Sequence, residues 1–116
     1  MAETELSDRL SPMFETPYYA VIFTTTQPKG ELDGYEQTAD DMVRLAMTQD
    51  GYLGVETVHD DQGIGITVSY WRDEASILAW KMQADHATAR EAGRQKWYKA
   101  YRLRIAKVER AYEWNK

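Results

Sequence analysis

Apolar residues alternate between strand-like and helix-like spacing along the first half of the chain. Residues 18–26, YYAVIFTTT, are β-branched, aromatic or small throughout, which predicts a strand that is covered on both faces. Over residues 34–49 the apolar side chains recur three or four positions apart, the spacing of one helix face. Asp33 is expected to cap this helix and Asp50-Gly51 to end it.

A β-hairpin is predicted next. Residues 52–59, YLGVETVH, and residues 63–71, GIGITVSYW, are two short runs rich in β-branched and aromatic side chains. The four residues DDQG join the runs, and Gly63 can adopt the positive φ that a tight turn requires. The two strands are therefore expected to pair antiparallel.

The remainder of the chain predicts a second helical region and a last strand. The helical region is expected to begin after Asp73, whose carboxylate suits a helix N-terminus, and to run to about Lys99. This length is large for one helix of a small domain, so we expect a break at Asp85 or Gly93. Residues 101–114 alternate, with a change of face that predicts a bulge or a strand that serves two different surroundings.

The predicted order β-α-β-β-α-β is that of a ferredoxin-like α+β fold. We expect residues 18–116 to form a single domain and the polar residues 1–17 to form a tail or arm that packs on a neighbour. The helices of this fold cover one face of the sheet, whereas residues 18–26 are apolar on both faces. A second copy would cover the other face, so a homodimer with sheets packed face to face is predicted.

Composition narrows the classes of function. The chain has no cysteine, which removes disulfides and thiolate metal sites and leaves the cytoplasm as the expected location. We expect no signal peptide and no membrane span. Residues 1–61 carry 13 acids and 3 bases, whereas residues 62–116 carry 6 acids and 11 bases. Because the net charge is −5, no nucleic-acid partner is expected.

The candidate site residues are aromatic side chains near one histidine. Trp71 ends a predicted strand, on the side of its small residues, and Trp80 lies on the following helix. Both could line a pocket for a ligand, and core packing is the alternative. His86 could exchange a proton with a substrate near neutral pH, and a histidine in packing or at the surface is the alternative. Positions 80 and 86 of one unbroken helix would point about 120° apart, so a shared pocket would require a break in the helix or a site built differently from this arrangement.

The sequence offers little support for a metal site or for a serine hydrolase. His59 lies in the predicted hairpin beside Asp60 and Asp61, far along the chain from His86, and such a cluster is typical of a polar turn. No motif of a serine nucleophile is present around Ser69. We therefore predict no bound metal.

The segments YYAVIFTTT, GYLGVETV and GITVSYWRDEASILAWKMQADHATAREAGRQKWYKAYRLRIAKVERAY together resemble the antibiotic-biosynthesis monooxygenase superfamily. The chain is especially similar to uncharacterised bacterial members with a YW…W…H…GR..WY..Y run. The resemblance extends from about Tyr18 to Tyr112 and implies a dimeric α+β barrel. It is more specific for the fold and the dimer than for the reaction.

The superfamily includes monooxygenases without metal or organic cofactor, haem-degrading enzymes and proteins of unknown role. Haem-degrading members have an asparagine on the first strand, and a tryptophan and a histidine on the second helix. Trp80 matches the tryptophan, but Phe23 and Thr24 stand where the asparagine would be. The usual histidine position falls near Arg90, so His86 lies about one turn early. Haem is therefore only a minor alternative as a cofactor.

By this resemblance, the function expected first is that of a cofactor-independent monooxygenase acting on a small aromatic or phenolic metabolite. His86 would be the catalytic base, Trp80 and Trp71 would form walls of the substrate site, and Tyr70 or Tyr98 would donate a hydrogen bond to the substrate oxygen. A non-catalytic dimeric module that binds an apolar metabolite is the alternative, so enzyme activity itself is left open.

Overall fold

A four-stranded antiparallel sheet and one long helix form the main elements of the protein. The computed structural model describes residues 9–26, 43–90 and 100–116, and the side chains of α1 as far as residue 83. Residues 43–47 are helical. The other elements are β1 (Tyr18–Thr26), β2 (Tyr52–His59), β3 (Ile64–Trp71), α1 (Glu74–Arg90) and β4 (Ala100–Val108).

The strands lie in the order β2-β3-β1-β4. β1 is central and pairs antiparallel with both β3 and β4, and β2 pairs antiparallel with β3. This order and the alternation of helices with strands confirm the predicted ferredoxin-like α+β fold. The predicted bulge in residues 101–114 is wrong, since β4 pairs in unbroken register and the irregularity lies in β2, between Tyr52 and Gly54.

The core lies between α1 and the sheet. Its buried members are Val21 on β1, Trp71 on β3, Ala46 in the first helical stretch and Ile77 on α1. Four half-buried side chains pack against them, namely Tyr19, Tyr52, Trp80 and Leu103. Strand alternation places the odd-numbered residues of β1 and β3 on this helix-facing side.

The turns around β2 and β3 form as predicted. Gly51 follows the first helical stretch with a φ of 91°, and Gly63 closes the hairpin with a φ of 103°. The Asp60 carboxylate accepts hydrogen bonds from the backbone N–H groups of Gln62 and Ile64, both at 2.9 Å. These bonds hold the pKa of Asp60 below its ordinary value. The expected cap at Asp33 lies outside the described residues.

Asp73 caps α1, as predicted. Its Oδ1 accepts hydrogen bonds from the Ser76 backbone N–H at 2.8 Å and from the Ser76 hydroxyl at 2.6 Å. Arg72 forms ion pairs with Asp50 at 3.0 Å and with Asp73 at 3.3 Å. The Ser76 bonds and Arg72 lower the pKa of the Asp73 carboxyl. The start of α1 is thereby tied to the turn that precedes β2.

α1 continues through Asp85 to Arg90, so the break predicted at Asp85 is wrong. One aspartate in a helix interior costs less than about 1 kcal/mol, which a packed helix tolerates. The alternative break at Gly93 lies outside the described residues.

β4 ends at Val108, whereas the alternation had predicted a strand over residues 101–114. Val108 pairs with Tyr18, the first residue of β1, and the residue before it is Pro17. Proline has no N–H to donate, so the β1 side of the ladder cannot extend further. Residues 109–116, the C-terminal segment, have no assigned secondary structure.

The sheet face opposite α1, called the open face, is partly covered by residues 9–17, the N-terminal segment. The backbone N–H of Ser11 donates to Glu56 on β2 at 2.9 Å. Phe14 packs edge-on against Tyr18, with ring centroids 5.6 Å apart. Gly54 permits this approach, because a Cβ there would collide with the Ser11 side chain.

Candidate functional site

Two tryptophans meet between α1 and the sheet. Trp71 is fully buried, and its indole Nε1 donates a hydrogen bond to the Ser69 hydroxyl at 2.8 Å. The Trp80 ring lies 5.4 Å from the Trp71 ring at an interplanar angle of 35°. Tyr52 packs edge-on against Trp71 at 5.7 Å. Trp71 therefore packs against the Trp80 ring and has no exposed surface that a ligand could contact.

The Trp80 side chain differs from Trp71 in its polar atom. Trp80 is half-buried, and its Nε1 is buried with no hydrogen-bond partner among the described residues. A buried donor without a partner costs about 1–3 kcal/mol. Such an N–H would be stabilised by an acceptor oxygen, and a ligand can supply one only where the side chains that cover the atom move aside.

His86 lies on α1 six residues after Trp80, and its side chain is outside the described residues. The helix is unbroken between them, so the two positions are separated by about 120° around the helix axis. Tyr98 also lies outside the described residues. The roles of His86 and Tyr98 stay predictions.

Tyr70 lies on the open face, so the sheet separates it from Trp71 and Trp80. Its hydroxyl donates a hydrogen bond to Glu56 at 2.7 Å. Burial and this contact with the Glu56 carboxylate raise the pKa of Tyr70. Adjacent residues of a strand point to opposite faces, and the structure therefore does not bring Tyr70 into the space beside the two tryptophans.

Sequence reasoning missed three polar contacts. Ser69 accepts from Trp71, and the alternation of β3 could have indicated this pair because residues two apart share a face. Glu56 accepts from both Tyr70 and Ser11, and the Ser11 contact joins residues 45 positions apart. No local pattern encodes such a contact.

The first strand does not offer the polar side chain of haem-degrading relatives. Phe23 faces α1, and its ring lies 5.4 Å from that of Tyr101, while Thr24 lies on the open face. An apolar ring thus occupies the place where the resemblance would put an asparagine. The described residues therefore do not fit a haem-degrading site on this strand.

The described residues contain no group of three or more histidine, aspartate or glutamate side chains placed to hold a metal ion. No helix among these residues has the length and apolar character needed to cross a bilayer.

Comparison with known proteins places this fold in a family. The family model described as antibiotic biosynthesis monooxygenase matches residues 17–92. The uncharacterized protein YqjZ of Bacillus subtilis is 47% identical over 105 residues, which cover 90% of this chain and 91% of that protein. A jasmonate monooxygenase of Pyricularia oryzae is 31% identical over 94 residues, 78% of this chain. The chain spans only 43% of the length of that fungal protein.

A solved structure shares the fold at low sequence identity. A variant of SnoaB, a cofactor-independent oxygenase from Streptomyces nogalater, superposes with a TM-score of 0.66 at 12% identity. The match covers 81% of this chain and 95% of SnoaB. The match of the family model to more than half of the residues, together with the YqjZ relationship, shows that the chain belongs to the antibiotic biosynthesis monooxygenase family.

Proposed function

We propose that the protein is a cofactor-independent monooxygenase of the cytoplasm that acts on a small phenolic or other aromatic metabolite. Family membership and the resemblance of its fold to SnoaB support the reaction class. The observation that carries the site is the buried Nε1 of Trp80, which has no partner among the described residues. The substrate would lie against the exposed side of the Trp80 indole and displace the atoms that cover Nε1.

The proposed reaction begins with proton transfer from the substrate to His86. Since α1 is unbroken between Trp80 and His86, the substrate must extend around the helix from the Trp80 indole to reach this base. The resulting phenolate or enolate is electron-rich, and the Trp80 N–H would stabilise its oxygen by a hydrogen bond. The carbanion form reacts with dioxygen: a CH₂ carbon loses two hydrogens, gains one oxygen atom as a carbonyl, and the second oxygen leaves as water. The substrate supplies the electrons, so the balance requires no further reductant.

Oxygen uptake with a panel of phenols and anthrone-like substrates tests this proposal. His86→Ala is expected to lower kcat by about 10²-fold or more, the range for loss of a general base. Trp80→Phe, which keeps a ring but removes the N–H, is expected to lower kcat/KM by about tenfold. Unchanged uptake in His86→Ala would remove the proposed base.

A non-catalytic binding module is the second candidate. Among the described residues no side chain accepts a hydrogen bond from the Trp80 Nε1, so no base is paired with this donor there. In this case aromatic ligands would quench Trp80 fluorescence without oxygen uptake. A histidine-dependent Soret shift in a haem titration would instead favour the haem alternative, which the apolar Phe23 position disfavours.

We also propose a homodimer through the open face. Val58, Ile64 and Ile66 on this face are exposed by 60%, 42% and 39%, and Val58 and Ile66 are direct partners across the β2–β3 ladder. A contiguous exposed apolar surface is typical of an interface. Light scattering should give twice the 13.4 kDa chain mass, whereas one chain mass at micromolar concentration would contradict the dimer.

A further inference from the structure

A cavity lies between the N-terminal segment and the open face. Its volume is about 390 Å³, and it is bordered by Arg9, Leu10, Glu56, Thr57, Val58, Ile66 and Val68. The lining is mainly aliphatic, with the Glu56 carboxylate as an acceptor. A ring with one polar donor has the chemistry to occupy such a space.

The C-terminal segment carries two aromatic side chains that the chain does not bury. Tyr112 is 85% exposed and Trp114 is 81% exposed. Two large rings in full contact with water, two residues apart, forgo the free energy that burial would provide. The same structure leaves the cavity open, so the segment does not occupy the cavity of its own chain.

The length of the segment allows contact with another copy. It leaves the sheet at Val108, on the edge strand opposite β2. Eight extended residues span up to about 26 Å. The outer strands of a four-stranded sheet are about 14 Å apart, so a segment that starts at the edge of one sheet can cross a facing sheet.

We propose that the C-terminal segment of each copy docks into the cavity of the other, with the Trp114 ring between Leu10 and the open face. This inference rests on the proposed dimer. The indole matches the aliphatic lining, and its N–H is a donor for Glu56. Lys116 follows Trp114 and can approach the acids Asp60 and Asp61, which follow the cavity residue Val58, while Arg9 at the cavity border carries the same charge as Lys116.

Site-specific cross-linking tests the contact, and the absence of native cysteine makes the reaction selective. Asn115→Cys, which retains Trp114, is co-expressed with Val58→Cys and treated with a short bis-maleimide. A covalent heterodimer is expected on denaturing gels. The matched control replaces Val58→Cys by Lys107→Cys, on the helix-facing side of β4, and should give none.

The outcomes separate this inference from the dimer itself. A dimer by light scattering without the Asn115–Val58 cross-link would overturn the docking and leave the dimer in place. A single chain mass would overturn both. Neither readout depends on oxygenase activity.

A second measurement addresses Trp114 directly. Trp114→Ala is expected to raise the dissociation constant of the dimer by about tenfold or more, since buried tryptophans are frequent hot spots of interfaces. Lys116→Ala, in the same segment, should change it by less than about fivefold. An unchanged dissociation constant in Trp114→Ala would also overturn the proposal.

Discussion

The two faces of the sheet differ in how they are closed. On the helix-facing side, Trp71 is excluded from solvent and its one polar atom bonds to Ser69. On the open face, Ile66 and Val58 lie in contact with water, and the polar pair Tyr70–Glu56 is only half-buried. Around Trp71 the first face is closed by the chain itself, although Ile105 on β4 is 47% exposed on the same side. The open face depends on the N-terminal segment and, we propose, on another copy.

This difference separates residues that stabilise the single chain from residues that serve association. Burial of a large side chain contributes to folding only where the chain provides the cover. Substitutions on the helix-facing side should therefore act on the free energy of unfolding of the monomer. Equivalent substitutions on the open face should act mainly on the dimer.

The largest contrast is expected between Trp71→Ala and Ile66→Ala. Trp71→Ala should lower the free energy of unfolding by about 3–5 kcal/mol, because it leaves a cavity in the core. Ile66→Ala should lower it by about 1 kcal/mol or less, since the side chain is 39% exposed. Urea unfolding at concentrations where the chain is monomeric measures both. Equal losses would show that the two faces are equally closed.

A smaller effect is expected from the polar pair of the open face. Tyr70→Phe removes the hydroxyl that donates to Glu56, which should lower the free energy of unfolding by about 1 kcal/mol. Tyr112→Phe provides the control, because Tyr112 is 85% exposed and its loss should have no effect on the dilute monomer. If both variants unfold at the wild-type urea concentration, the hydrogen bond from Tyr70 to Glu56 contributes nothing to the free energy of unfolding.

The smallest effect is expected at the start of α1, on the helix-facing side. Asp73→Ala should lower Tm by a few degrees at pH 7, and Asp73→Asn by less, because asparagine also caps helices. The folded pKa of Asp73 lies below its ordinary value of 3.8. Its stabilisation is therefore present above about pH 3.8 and is lost as pH falls through the folded pKa.

Thermal unfolding across this pH range provides the check. The difference in Tm between wild type and Asp73→Ala should shrink as the pH is lowered below about 3.8. A difference that stays constant over the range would show that the Asp73 carboxylate is not the titrating group.

Local patterns predicted most of the fold. β1, the hairpin with Gly63 and the cap at Asp73 all depend on residues close in sequence, and each formed as expected. The end of β4 was not predicted, because it depends on Pro17, which lies just before the distant partner strand β1. The break at Asp85 was expected from helix length alone, which tertiary packing overrides.

The candidate site was less predictable than the fold. Alternation along β3 placed Trp71 beside Ser69, and it equally implies that Tyr70 faces away. The contact of Trp71 with Trp80 depends on where α1 lies over the sheet, which no local spacing encodes. The unpartnered N–H of Trp80 is likewise a property of the packed structure.

The closeness of Trp71 and Trp80 has an optical consequence. Two indoles whose centroids are 5.4 Å apart and whose planes are tilted by 35° couple their electronic transitions, as any closely spaced, non-parallel chromophores do. The pair should therefore give a two-signed circular dichroism band that is absent from Trp71→Phe and Trp80→Phe alike. A ligand that turns the Trp80 ring would alter this band, so the molecule contains its own spectroscopic reporter of occupancy.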